Sequence, residues 1–259
     1  MSRSAITSPQ NERVKSWVRL QRDGEARREA GQFLLEGKRL VSAALAAGRV
    51  RTLLYSSRLA GEDSLVAEAA ARGAEVVELS AAVFRKVADC PSPQGIAAVA
   101  ELPRWEESAL FGRDSLLLVA CGLQDPGNLG SMMRSALAAG ASGFVALRPS
   151  ADIFHPRAVR GSAGAVCLLP SARMTTEEFL ARARSAGIRL VAAAPRGGND
   201  FRSFDYSRPV AIIVGSEAHG VSEEIAREAS AVTIPMAGPV ESLNAAAAAA
   251  LLLFEAARR

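Results

Sequence analysis

The chain has 259 residues, 49% of them hydrophobic, and a net charge of +4, which is material for a full core and predicts two domains. Its three cysteines, Cys90, Cys121 and Cys167, are odd in number and too far apart for a chelating pair. They exclude a disulfide framework or a zinc site and read as small buried apolar residues in a reduced, cytoplasmic setting. No basic and apolar leader opens the sequence. Its longest apolar run, Ala245 to Phe254, is far short of the roughly 20 residues that cross a bilayer. A soluble protein with no membrane contact is expected.

The charge is unevenly placed. Residues 1–104 carry 16 Lys plus Arg against 12 Asp plus Glu, and residues 105–259 carry 15 against 15. A basic front end fits a polyanionic partner, although an ordinary solvated surface has the same composition.

In chain order, Asn11 to Ala30 mixes charges with Val14, Trp17, Val18 and Leu20 at helical spacing, predicting one amphipathic helix. After Gly31 strands and helices alternate. Phe33 to Gly37 is a strand ending in a turn, and Lys38 to Gly48 is a helix closed by glycine. The strand VRTLLYS, a helix over Glu62 to Arg72, the strand AEVVEL, a helix near Ala81 to Val87 and the strand GIAAVAEL continue the pattern. The expected organisation is a small α/β domain over 1–102, a linker over 103–114 and a second domain over 115–259.

The second domain opens with SLLLVACGL, an apolar run suited to a strand covered on both faces. A helix from Asn128 to Ala139 follows, then the strands GFVAL, RLVAAA and VAIIVG. PRGGNDFRSFDYSRP between the last two must be a long loop, and a closing helix starts near Ser242.

Four segments interrupt this grammar with residues that carry chemistry. In DPGNLGSMMR, Pro126 and Gly127 turn the chain, and Asn128 fits as the helix N-cap. Arg134 follows within two helical turns, so it can point back toward the same end of the sheet. A capped helix with an exposed arginine would have the same sequence. In GSEAHG, Glu217 stands at a strand end, where a carboxylate can cap a helix; His219 reads as a surface residue. In IPMAGPVESLNAAAAAA, Pro235, Gly238 and Pro239 hold an extended loop, Ser242 fits as an N-cap, and Asn244 falls in the first turn. The alanines from Ala245 to Ala250 would allow another backbone to approach. HPRAVRGSAGAV carries Arg157 and Arg160; His155 is given no role. No GxGxxG follows a strand, and no GxxxxGK[ST], CxxC or HExxH occurs. With two distant histidines, His155 and His219, a Ser-His-Asp hydrolase is not expected.

In this order and spacing the segments resemble the motifs of the SpoU (TrmH-like) branch of the SPOUT superfamily, S-adenosylmethionine-dependent RNA ribose 2′-O-methyltransferases. The resemblance covers most of the chain. It implies an α/β fold whose second domain is a deep trefoil knot around a mostly parallel sheet, with a small N-terminal α/β domain that binds RNA. It implies a homodimer in which both subunits help form each site, and it implies no metal. By resemblance the catalytic set is Asn128, Arg134, Glu217, Ser242 and Asn244. Gly215, Ile234, Met236, Leu243 and Ala194 would hold the cofactor, Gly215 by letting it lie against the backbone. Arg160 and Arg157 would meet RNA phosphate, joined by Lys38 and Arg39 in the front domain. Arg134 would act either as proton acceptor or as the group that orients the hydroxyl. The front domain favours ribosomal over transfer RNA. Alternatives are a transfer-RNA ribose methyltransferase, a base methyltransferase, or a non-catalytic RNA-binding factor on the same fold.

Overall fold

The hydrophobic periodicity of the first hundred residues builds a four-stranded sheet with helices against it. The structure, a computed structural model, describes residues 5–60, 64–88 and 90–258. Two helices come first, α1 (Glu12–Arg22) and α2 (Gly24–Ala30), where the sequence predicts one. The break falls at Asp23, whose carboxylate accepts from the Glu25 and Ala26 backbone N–H groups as the cap of α2. Then follow β1 (Gln32–Glu36), α3 (Lys38–Ala46), β2 (Val50–Tyr55), α4 (Ser57–Ala60) and α5 (Ser64–Ala71). β3 (Glu75–Glu78), α6 (Ala81–Ala88) and β4 (Ile96–Glu101) complete the series. The start of the helix predicted from Glu62 lies outside the described residues. Strand order is β1-β4-β2-β3, antiparallel except for β2 with β3. Val14, Trp17 and Leu20 of α1 and Phe84 of α6 form one core with Leu34, Leu54 and Val99 of the sheet.

The second half builds a wholly parallel sheet. Its elements are β5 (Leu116–Cys121), α7 (Pro126–Ala138) and β6 (Gly143–Leu147), then α8 (Pro156–Ser162) and α9 (Ala165–Leu168). β7 (Ser171–Met174), α10 (Thr176–Ser185), β8 (Arg189–Ala193) and the two-residue β9 (Asn199–Asp200) follow. β10 (Val210–Gly215), α11 (Glu223–Glu228), β11 (Ser230–Thr233) and α12 (Ala245–Ala257) end the chain. The order is β7-β6-β5-β10-β8-β11-β9, with every pair parallel. All six residues of β5 are buried, as a strand covered on both faces requires. The segment predicted as one long loop holds β9 and buries Phe201 and Tyr206.

The chain divides into two compact units: Met1–Pro103 with Phe154–Leu168, and Arg104–Ile153 with Leu169–Arg259. The excursion Phe154–Leu168 departs from the expected boundary, which kept 115–259 together. Its reason is packing: the Phe154 ring lies 5.1 Å from that of Phe33, and Arg49 Nε donates to the Cys167 carbonyl at 3.0 Å. Cys121 and Cys167 are buried as expected, but Cys90 is only half-buried. Among the described residues no helix is long and apolar enough to cross a membrane.

Candidate active site

Parallel strands present all their C-terminal ends at one edge, and open α/β sheets place their ligand sites there. β5, β10, β8 and β11 are consecutive in the second sheet, so the segments after them become neighbours however far apart they are in sequence. These segments lead into Asn128, Glu217, Ala194 and Ile234 respectively.

Three polar side chains from three segments join there. Asn244 Nδ2 donates to Asn128 Oδ1 at 3.0 Å, and Asn128 Nδ2 donates to Glu217 Oε1 at 3.1 Å. The Ala245 backbone N–H also donates to Glu217 Oε1, at 3.3 Å. Asn244 Oδ1 accepts from the Ala246 and Ala247 backbone N–H groups at 2.9 and 3.4 Å, so Asn244 is the N-cap of α12. These bonds set both asparagine amides in one orientation and tie the start of α12 to β5 and β10.

The caps differ from those expected. α7 starts at Pro126, with Asp125 as its N-cap accepting from Gly127 N–H at 3.0 Å. A proline is well suited to the first helical position, because its fixed φ is helical and it has no N–H to leave unpaired. Asn128 therefore lies inside the first turn and its amide is free to serve the cluster. Ser242 is likewise no cap; it lies in the loop before Asn244 and lines a cavity. His155 has a structural place, its Nδ1 accepting from Arg157 N–H at 3.2 Å to cap α8.

Arg134 is not part of the cluster. Six helical residues turn it about 120° from Asn128 and carry it about 9 Å along the axis. It is exposed on α7 and has no hydrogen-bond or ion-pair partner among the described residues. Its place on α7 leaves it without a bond to the cluster of its own chain.

Beside the cluster is a cavity of about 380 Å³, lined by Ala194, Gly215, Ile234, Met236 and Leu243 and by Glu217 and Ser242. That size suits a cofactor. Ala193, Pro195, His219 and Glu241 also line it and were not singled out from sequence for that role. The shared signal is position: each belongs to a segment at or just beyond the C-terminal end of β8, β10 or β11. Gly215 lines the cavity, and the fold itself also requires a glycine there. A Cβ there would fall on the Gly220–Val221 backbone, because residues 216–220 fold back as a tight turn with Ser216 and Gly220 bridged. The glycine thus admits the chain's own turn, the one that carries Glu217.

Arg157 and Arg160 are exposed on α8 and belong to the first unit with Lys38 and Arg39, which start α3. Among the described residues no group of side chains could hold a metal ion.

The fold is that of a known family. The SpoU rRNA Methylase family matches residues 115–254. The chain belongs to that family. Residues 11–98 match an MRM3-like substrate binding domain. This SpoU family member is 32% identical over 251 residues to the 23S rRNA (guanosine(2553)-2′-O)-methyltransferase RlmP of Bacillus subtilis, covering 96% of this chain and 97% of that one. It is 34% identical to the 23S rRNA (uridine(2479)-2′-O)-methyltransferase of Streptomyces viridochromogenes, covering 98% and 92%. Its structure matches the AdoMet-bound rRNA methyltransferase of Sinorhizobium meliloti with a TM-score of 0.87 and 35% identity, over 98% of this chain and 97% of that one.

Proposed function

We propose that this SpoU family member transfers a methyl group from S-adenosylmethionine to a ribose 2′-hydroxyl of ribosomal RNA. The observation that carries the reading is the Asn128–Glu217–Asn244 cluster, locked by hydrogen bonds of 3.0 and 3.1 Å beside a mostly apolar cavity that Glu217 also lines. The names of the Bacillus and Streptomyces relatives favour ribosomal over transfer RNA.

The cavity fits the cofactor in size and in the character of its walls, with Ala194, Ile234, Met236 and Leu243 offering apolar contact. When bound, S-adenosylmethionine supplies a methyl carbon made electrophilic by its sulfonium. The chain's own work is to place the ribose hydroxyl in line with that carbon, the larger lever in a transfer between two bound partners. Asn128, Glu217 and Asn244 hold one side of the site rigid, and Ser242 meets the reacting hydroxyl. Arg134 orients that hydroxyl and offsets the charge of the neighbouring phosphate. Lys38, Arg39, Arg157 and Arg160 bind RNA phosphates from the first unit.

Arg134 stands away from the cluster of its own chain, so the active species is a homodimer in which a second copy completes each site. Exposed Leu137 beside Arg134 on α7, and Leu251 and Phe254 on α12, support this. We infer also that the second unit has the deep trefoil knot of the family, and that the protein works in the cytoplasm. Nucleoside mass spectrometry of ribosomal RNA from cells with and without the gene tests the function. One 2′-O-methylated nucleotide should vanish and return when purified protein and S-adenosylmethionine are added. An unchanged methylation profile refutes it.

A further inference from the structure

Two corners of the first unit are locked to each other. β1 ends at Glu36 and turns through Gly37, whose φ of +106° favours a residue without a Cβ. The Gln94 backbone N–H donates to Glu36 Oε1 at 2.9 Å, and Gln94 Oε1 accepts from the Lys38 backbone N–H at 2.9 Å. The second bond decides which way the carboxamide faces: its oxygen meets α3, so its NH2 group points elsewhere. Gln94 is exposed, and that NH2 has no partner among the described residues.

Cations lie on the two helices next to the corner. Lys38 and Arg39 are the first two residues of α3. Arg157 and Arg160 come from α8, which packs on β1. Burial raises the pKa of the Glu36 carboxyl, while the Gln94 N–H and the charge of Arg160 lower it, which places Arg160 within electrostatic reach of the same corner. All four cationic side chains are exposed.

We propose that this corner reads an unpaired nucleotide of the substrate RNA, the Gln94 NH2 donating to an acceptor on the base edge while Lys38, Arg39, Arg157 and Arg160 hold the adjoining phosphates. The proposal rests on the RNA-binding part of the methyltransferase reading and adds the residue that selects sequence. Phosphate contacts give affinity and register but carry no sequence information; an oriented neutral donor can carry it. Unpaired RNA bases expose their hydrogen-bonding edges to such a group. An amide already pinned by its oxygen also loses less freedom on binding than a free side chain would.

Gln94→Glu tests this, because it keeps an oxygen for the Lys38 N–H and removes both NH2 donors. Fluorescence anisotropy compares a 23S rRNA transcript with a scrambled transcript of equal length across a salt series. The wild type should prefer the first, and Gln94→Glu should lose about 5- to 150-fold of that preference with its thermal melt unchanged. The R157A/R160A double variant should weaken both transcripts alike and reduce the salt slope by about one unit per cation removed. Equal weakening of both transcripts by Gln94→Glu, no effect of it, or a wild type without preference overturns the proposal. Should Gln94→Glu unfold, analogue interference on the wild type decides: deleting one base acceptor must impair binding at an unpaired nucleotide, and no interference overturns the idea. A wild type that prefers the 23S transcript yet methylates no RNA defeats the methyltransferase reading and leaves this one standing.

Discussion

Asn244 Nδ2 donates to Asn128 Oδ1 at 3.0 Å across 116 positions of sequence. The bond gives Asn244 two duties, because its own Oδ1 caps α12. Substitution can separate them. Asn244→Ala should cost about 1 kcal/mol of stability through the lost cap and most of the methyl transfer. Asn244→Ser restores a capping oxygen but cannot reach Asn128, so stability should return and rate should not. Urea unfolding and single-turnover transfer, run on both variants, check the split.

Arg134 is exposed and unpartnered among the described residues, so Arg134→Ala should fold normally and bind cofactor with unchanged affinity. Methyl transfer should fall about 10²–10³-fold, the usual loss for one preorganised electrostatic contact. Arg134→Lys should also be poor, since an ammonium lacks the planar fork. Transfer within about threefold of wild type, measured in single turnover, would remove Arg134 from the centre; an electrostatic contact that matters costs far more.

At Gly215 even one methyl group should do damage. The new Cβ falls on the Gly220 carbonyl and forces the 216–220 turn, with Glu217, out of place. Gly215→Ala is expected to cost about 1–3 kcal/mol as an overpacked site and to abolish cofactor binding by calorimetry. Wild-type binding by a stable Gly215→Ala protein would show that the turn is not needed for the cavity.

The dimer prediction concerns Leu251 and Phe254, exposed on the face of α12 opposite its buried Ala249, Leu252, Leu253 and Ala256. Leu251→Asp with Phe254→Asp should give a monomer in light scattering that still binds cofactor. That monomer should transfer no methyl, because Arg134 of a second copy is missing. A wild-type monomer active at assay concentration would refute the shared site.

Burial pushes the Cys167 thiol up to about 11, against a smaller lowering by Arg49, and burial also raises Cys121. The reactive thiolate of Cys167 is therefore scarce at neutral pH and grows only as pH rises toward that value. Alkylation with iodoacetamide at pH 8, read by mass spectrometry, should mark half-buried Cys90 first and leave Cys167 intact until the chain unfolds. Rapid labelling of Cys167 in the native protein would contradict its burial.

The four strands of the first unit and β5, β6, β8 and β10 of the second were legible in the sequence, because an apolar run such as LLLVAC has no stable place except between two covering layers; the short, partly polar β7, β9 and β11 were not. The meeting of Asn128, Glu217 and Asn244 in one hydrogen-bonded cluster was expected only through the family their segments resemble. Local pattern did not settle which residue caps which helix. Asp125 and Asn128, like Ser242 and Asn244, are all competent caps, and only the packed turn selects one of each pair. Pattern also could not show that Phe154–Leu168 packs against β1 and α3, nor that Gln94 meets Glu36 and Lys38, since no periodicity records a contact across 56 or 58 positions. Sequence by itself determined the strongly apolar strands, the longer amphipathic helices and which segments carry polar residues at strand ends. Tertiary structure alone decided the neighbours: the order β5-β10-β8-β11 brings distant segments together, and strand order follows from how whole layers pack rather than from any local run of residues.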